Sequence, residues 1–254
     1  MTPSDRPGSI RSAAKGGTQP TQNASNPRMA GVNGVVGNER LTALAGAVLL
    51  ALILIELATT TNSGALLSVH VFVGTMLTGP LAVKMGSTGY RFLRYYGRSP
   101  AYVRRGPPRL ALRILAPLLL ATTLVLIGSG IALLVVGPTT PGLFEALHNV
   151  TFLIWLPLVA IHVLAYVWRV PRLIADDWRS NPGGQAAGAA GRGLRFGGNL
   201  GALIAGAVAA VFLLPTAAPW ALPGVLNQAI PGPVVASLIV TALALVAARP
   251  IRWR

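Results

Sequence analysis

The chain of 254 residues contains no cysteine, which excludes iron–sulfur clusters, thiolate metal sites and disulfides together. It is almost as poor in acid, with 6 Asp and Glu against 21 Lys and Arg, and only 11% of its residues are charged. Soluble domains carry roughly 25% charge, so this chain has too little charge to clothe a water-facing surface of its length. With 53% hydrophobic residues, it reads as an all-α integral membrane protein. Histidine is scarce too. The 3 present are His70, His148 and His162, and without cysteine they are the only strong ligands for a transition metal or a haem iron.

What is abundant is long apolar sequence. Six segments come near the ~20 residues that a membrane-crossing helix needs, at 41–59, 65–85, 110–136, 144–168, 200–214 and 234–248. The sequence before them, 1–40, is rich in Ser, Gly, Pro, Asn and Thr and is expected to be a disordered tail. No apolar run follows its first basic residues, so it does not read as a secretory signal.

Basic residues fix an orientation. The tail, the connections 86–109 and 169–198, and the terminal RPIRWR hold nearly all the Lys and Arg, whereas 59–64, 138–143 and 215–233 hold none. By the positive-inside rule the basic connections and both termini are cytoplasmic. The net charge of +15 is therefore topological, with attraction to anionic membrane lipid added, and nucleic acid is not an expected partner.

All three histidines fall inside apolar segments, where ionisable groups are costly and usually functional. His148 and His162 are fourteen residues apart, about 21 Å along a helix and about 40° from perfect alignment, so they share one face. His70 and His148 each lie about five residues inside the outer end of their segments. Two imidazoles at one depth on neighbouring helices suit the two axial positions of a haem iron. Fourteen residues after His70 stands Lys84, level with His162. Its ammonium is a poor ligand unless deprotonated, and the plain alternative is that it snorkels to water. Small residues where a flat macrocycle would pass include Gly128 and Gly130, Ala116 fourteen residues before Gly130, and Gly46.

Two histidine-bearing segments, the second and fourth, with this fourteen-residue spacing resemble the four-helix core of transmembrane b-type cytochromes, the respiratory cytochrome b subunits and their bacterial relatives. The resemblance covers about 41–172 and implies haem b between the helices. His70 and His148 match the ligands of an outer haem and His162 one ligand of an inner haem. Lys84 stands where the fourth ligand would be, so the inner haem is absent, five-coordinate through His162, or ligated by Lys84, which gives one haem or two. Arg91 and Arg169 are candidates for the propionates, with lipid phosphates as the alternative; the same holds for Arg94 and Arg172. Glu56 and Glu145 on the outer side are candidate proton acceptors from a quinol, or carboxylates reaching interfacial water.

The expected architecture is a four-helix haem-binding bundle (41–172), a cytoplasmic linker (173–199), and an additional two-helix hairpin with a basic tail (200–254), six transmembrane helices in all. The expected function is electron transfer between a quinone pool and an extracytoplasmic redox partner, as a subunit of an oxidoreductase, in a bacterial cytoplasmic membrane. Two other readings stand beside it. One is a small transporter whose intramembrane His, Lys84 and Glu56 form an ion path, and the other is a non-catalytic membrane anchor.

Overall fold

A computed structural model describes residues 27–62, 64–106, 110–179, 191–222, 225–226 and 232–248, with side chains from 34 onward. Every regular element among them is helical. The helices are α1 (Pro27–Thr59), α2 (Leu67–Met76), α3 (Thr78–Tyr96), α4 (Pro100–Val103), α5 (Leu110–Val136), α6 (Gly142–Tyr166), α7 (Val170–Arg179), α8 (Arg192–Leu213) and α9 (Gly232–Ala248). Among the described residues five helical stretches are long and apolar enough to cross a membrane: Gly34–Asn62, Leu67–Tyr96, Leu110–Val136, Gly142–Tyr166 and Arg192–Ala221. Within the most apolar window of each, no more than 22% of residues are buried inside the protein. Apolar faces turned outward on that scale need a non-aqueous solvent, as in an integral membrane protein.

The second stretch is a helix in two pieces. α2 and α3 meet at Leu77, three residues before the fully buried Pro80, whose missing N–H cannot serve the carbonyl of Met76. Pro157 is also buried, yet α6 runs through it unbroken.

α1 packs antiparallel against this broken span, with Thr42 opposite Ser87, Gly46 opposite Lys84 and Glu56 opposite Gly74. Leu49, Leu52, Val73 and Leu77 close the seam between them. α5 and α6 form a second antiparallel pair, registered by a hydrogen bond from Trp155 Nε1 to Thr123 Oγ1 of 2.9 Å. The two pairs enclose a cavity between them.

α8 lies outside, across α2 and α3. There the backbones touch: a Cβ on Gly79 would run into the Ala202 carbonyl, and one on Gly206 into the Met76 carbonyl. Small residues four apart on each helix make such an approach feasible. α9 lies against α6 instead, where the buried Ser237 hydroxyl donates to the Phe152 carbonyl at 3.2 Å.

Several expectations are corrected. The part 27–40 of the expected disordered tail is helical and continuous with the first span; residues 1–26 lie outside the described residues. The connection 86–109 is helical as far as Tyr96. The expected linker 173–199 contains most of α7 and the first two turns of α8, joined by Asp177, which accepts from both Arg40 on α1 (3.0 Å) and Arg195 on α8. That buried carboxylate gives both segments a reason to fold. The fifth span starts near 192 rather than 200. α8 and α9 do not pack as a hairpin, since each covers a different helix pair. α9 has 17 residues, about 26 Å at 1.5 Å per residue and short of the ~30 Å hydrocarbon core.

Gly206→Val is expected to force α8 off the Met76 carbonyl and cost about 1–3 kcal/mol of overpacking strain, read as a lower thermal midpoint in detergent. Gly201→Ala on the same helix, where a Cβ meets nothing within 4 Å, is expected to hold or raise that midpoint.

Candidate haem-type site between the helix pairs

The cavity between the two helix pairs has a volume of about 2090 Å3, roughly twice the upper end of ordinary ligand pockets. Its wall is mainly Leu, Ile, Val and Ala, and into it project all three histidines with Glu56, Lys84, Arg91, Arg113 and Glu145. The polar groups fall into two levels, as the fourteen-residue spacings require.

At the outer level the rings of His70 and His148 stand 6.4 Å apart between centroids, with their planes at 82°. Each ring is tied through Nδ1. Thr59 donates its hydroxyl to the Glu56 carbonyl at 2.6 Å, so the same oxygen is left to accept from His70 Nδ1 at 2.9 Å. The Glu56 carboxylate lies 3.0 Å from that nitrogen as well. On the other side Ser129 donates to the Leu126 carbonyl at 3.0 Å, and His148 Nδ1 lies 3.1 Å from that same carbonyl. These networks assign the proton of each ring to Nδ1. Both Nε2 atoms then carry a lone pair, and no hydrogen bond among the described residues engages either.

This is how metal-binding imidazoles are held: one nitrogen donates to a carboxylate or carbonyl while the other ligates. A metal–imidazole bond of about 2 Å, with about 1.1 Å from that nitrogen to the ring centre, puts two rings in line through one metal about 6.2 Å apart. The observed 6.4 Å fits. A bare ion would need further protein ligands, and no group of three or more His, Asp or Glu residues able to hold one occurs among the described residues. A haem iron brings its own four equatorial nitrogens and needs only two axial imidazoles.

The space around the rings agrees. A Cβ on Gly130 would come within 3.1 Å of His148 Cε1, and one on Gly74 within 2.8 Å of the Glu56 carboxylate, so a side chain at either position would have to displace a member of the histidine pair's network. Gly128, expected to leave room for a flat macrocycle, would carry a Cβ with no atom within 4 Å. Glu56 Oε2 is buried without a hydrogen-bond partner.

At the inner level Lys84 reaches across to α1, where Gly46 makes room: a Cβ there would lie 2.8 Å from the ammonium. His162 packs against Tyr166, ring centroids 5.0 Å apart. The register of α5 on α6 puts Ala116 opposite His162, as Gly130 is opposite His148. Trp155 faces the cavity midway between the levels, stacked with Phe152 at 6.4 Å.

Arg91 and Arg169 belong to a cluster that the sequence reading missed. Arg105 grips the buried Glu39 with two hydrogen bonds (2.6 and 3.1 Å), and Arg169 and Arg91 approach the same carboxylate at 3.5 and 3.7 Å. Of the two, Arg91 alone lines the cavity. Glu145 is exposed and lines the same cavity one turn before His148. Thr59, Ser129 and Gly74 were also missed. The scarcity of acid could have flagged Glu39, since a lone carboxylate among arginines is bound to collect them.

No protein-family model, curated protein or solved structure matches the chain.

Glu39→Ala leaves three guanidinium groups facing one another. The expected cost is about 2 kcal/mol, below the range for a fully buried pair because the arginines stay partly exposed. The check is a lowered thermal midpoint in detergent, against no change for the exposed Arg104→Ala.

Proposed function

We propose that the protein is a membrane electron carrier of the b-type cytochrome kind, holding one haem b between His70 and His148. The observation that carries this reading is the pair of imidazoles 6.4 Å apart, each tied through Nδ1 and each with Nε2 free of hydrogen bonds among the described residues. Bound there, a haem supplies one-electron chemistry. The chain's own residues do the rest. Glu56, Thr59 and the Leu126 carbonyl orient the two rings, Gly130 and Gly74 let the helices close around them, and the apolar wall keeps water away.

The proposal extends to placement. The basic end of the bundle is cytoplasmic, the histidine pair lies toward the outer face, and α1 to α6 form a four-helix haem-binding core. α8 and α9 are two additional helices outside that core. The membrane is the cytoplasmic membrane of a bacterium. Electrons pass between the quinone pool and an extracytoplasmic redox partner, which makes the chain a subunit of a respiratory oxidoreductase rather than a complete enzyme. An ion-transport path would call for a mainly polar wall, and the predominance of apolar residues in the lining disfavours it.

The test is a reduced-minus-oxidised absorbance spectrum of the purified protein, with haem extracted and counted per chain. A sharp low-spin b-type band at one haem per chain is expected. No haem after expression with ample haem supply overturns the reading.

A further inference from the structure

The inner half of the cavity is built differently from the outer half. Lys84 sits where a second axial ligand would be expected, and an ammonium has three donors and no lone pair. It also does not snorkel. Helical side chains lean toward the N-terminus of their own helix, and in α3 that direction points away from the basic end of the bundle. The ammonium lies over Gly46, across the bundle.

Among the described residues no carboxylate lies within 4.0 Å of it, because the two buried acids at that end are held by arginines: Glu39 by Arg91, Arg105 and Arg169, and Asp177 by Arg40 and Arg195. A cation turned into an apolar bundle with no anionic partner needs an electronegative group supplied from elsewhere. Lys84 and His162 both line this half of the cavity. Within a turn of these two groups the wall is Ala47, Leu50, Leu81, Val159, Val163 and Tyr166. Such a wall suits a flat, neutral ring with exposed carbonyl oxygens and suits a hydrated phosphate or carboxylate poorly.

We infer that this inner half is the binding site for a quinone head group, with the Lys84 ammonium donating to one ring oxygen and His162 facing the same ring. The inference rests on the electron-carrier reading and names where that reading's membrane substrate binds. Trp155 then stands between the quinone level and the histidine pair, seven residues from His148 and seven from His162, or about 10 Å from each along the helix.

The test uses decylubiquinone and the intact protein in detergent. Equilibrium dialysis gives the quinone held per chain, and haem per chain is counted on the same sample. Two variants are compared with the unmodified protein: Lys84→Met, which removes the charge at similar length, and Ala116→Phe, which fills the space opposite His162 without touching a polar group. Both are expected to weaken quinone binding at least tenfold. Haem content and the low-spin band are expected to stay unchanged, and haem reduction by decylubiquinol to slow in parallel. Unchanged quinone binding in both variants overturns the inference, as does a second haem per chain that disappears in His162→Leu. Because dialysis reads quinone without haem, a protein that holds quinone through Lys84 but lacks haem sinks the electron-carrier reading and leaves the site standing.

Discussion

Two half-buried imidazole rings between helix pairs, each committed through Nδ1 to a partner on its own side, set the terms for the rest of this bundle. In an apolar interior a histidine must find acceptors or donors for its nitrogens, since unsatisfied polar groups there cost on the order of several kcal/mol. Half of that demand is met from within: Glu56 and Thr59 serve His70, and the Leu126 carbonyl with Ser129 serves His148. The two Nε2 atoms have no hydrogen-bond partner among the described residues, and that open demand is what the proposed haem would meet. The cavity, the glycines at 74 and 130, and the hydroxyl hydrogen bonds all follow from keeping that space open and those rings turned toward it.

At the other end of the molecule the controlling quantity is the shortage of acid. Glu39 and Asp177 are two of only six carboxylates, and each is buried beneath several arginines. Glu39 draws together α1, α3 and the segments beside α4 and α6. Asp177 ties α7 to α1 and α8. Desolvated pairs of this kind add less net stability than their Coulomb energy suggests, but removing one member strands the others. They act here as cross-links that give shape to basic connections which would otherwise repel one another.

The spans and the histidine pair were legible because both follow from simple periodicities. Apolar length set the helices, and the fourteen-residue spacing with matched depth put His70 level with His148. The alternation of basic and uncharged connections gave antiparallel neighbours. What hydropathy could not tell is which face meets which helix. The contact of Gly79 and Gly206 with carbonyls of the opposite helix places α8 on the second span and leaves α9 to the fourth, so the expected hairpin is absent. Nor could it tell where a helix extends beyond its apolar part. Residues 27–40 and α7 are polar stretches whose helical state depends on distant partners such as Asp177 and Ser87. Glu56 was legible as an unpaired acid, but its partner was not, because the match of Glu56 to His70 depends on the register of α1 against a span broken at Leu77.

The central claim is that His70 and His148 together hold one iron. Low-temperature electron paramagnetic resonance of the oxidised protein tests it most directly, because it reads the ligand pair itself. A low-spin ferric signal of two-imidazole coordination is predicted for the unmodified protein, lost in both His70→Ala and His148→Ala and retained in His162→Ala. A low-spin signal that survives either of the first two substitutions, or a high-spin signal in the unmodified protein, would contradict the account.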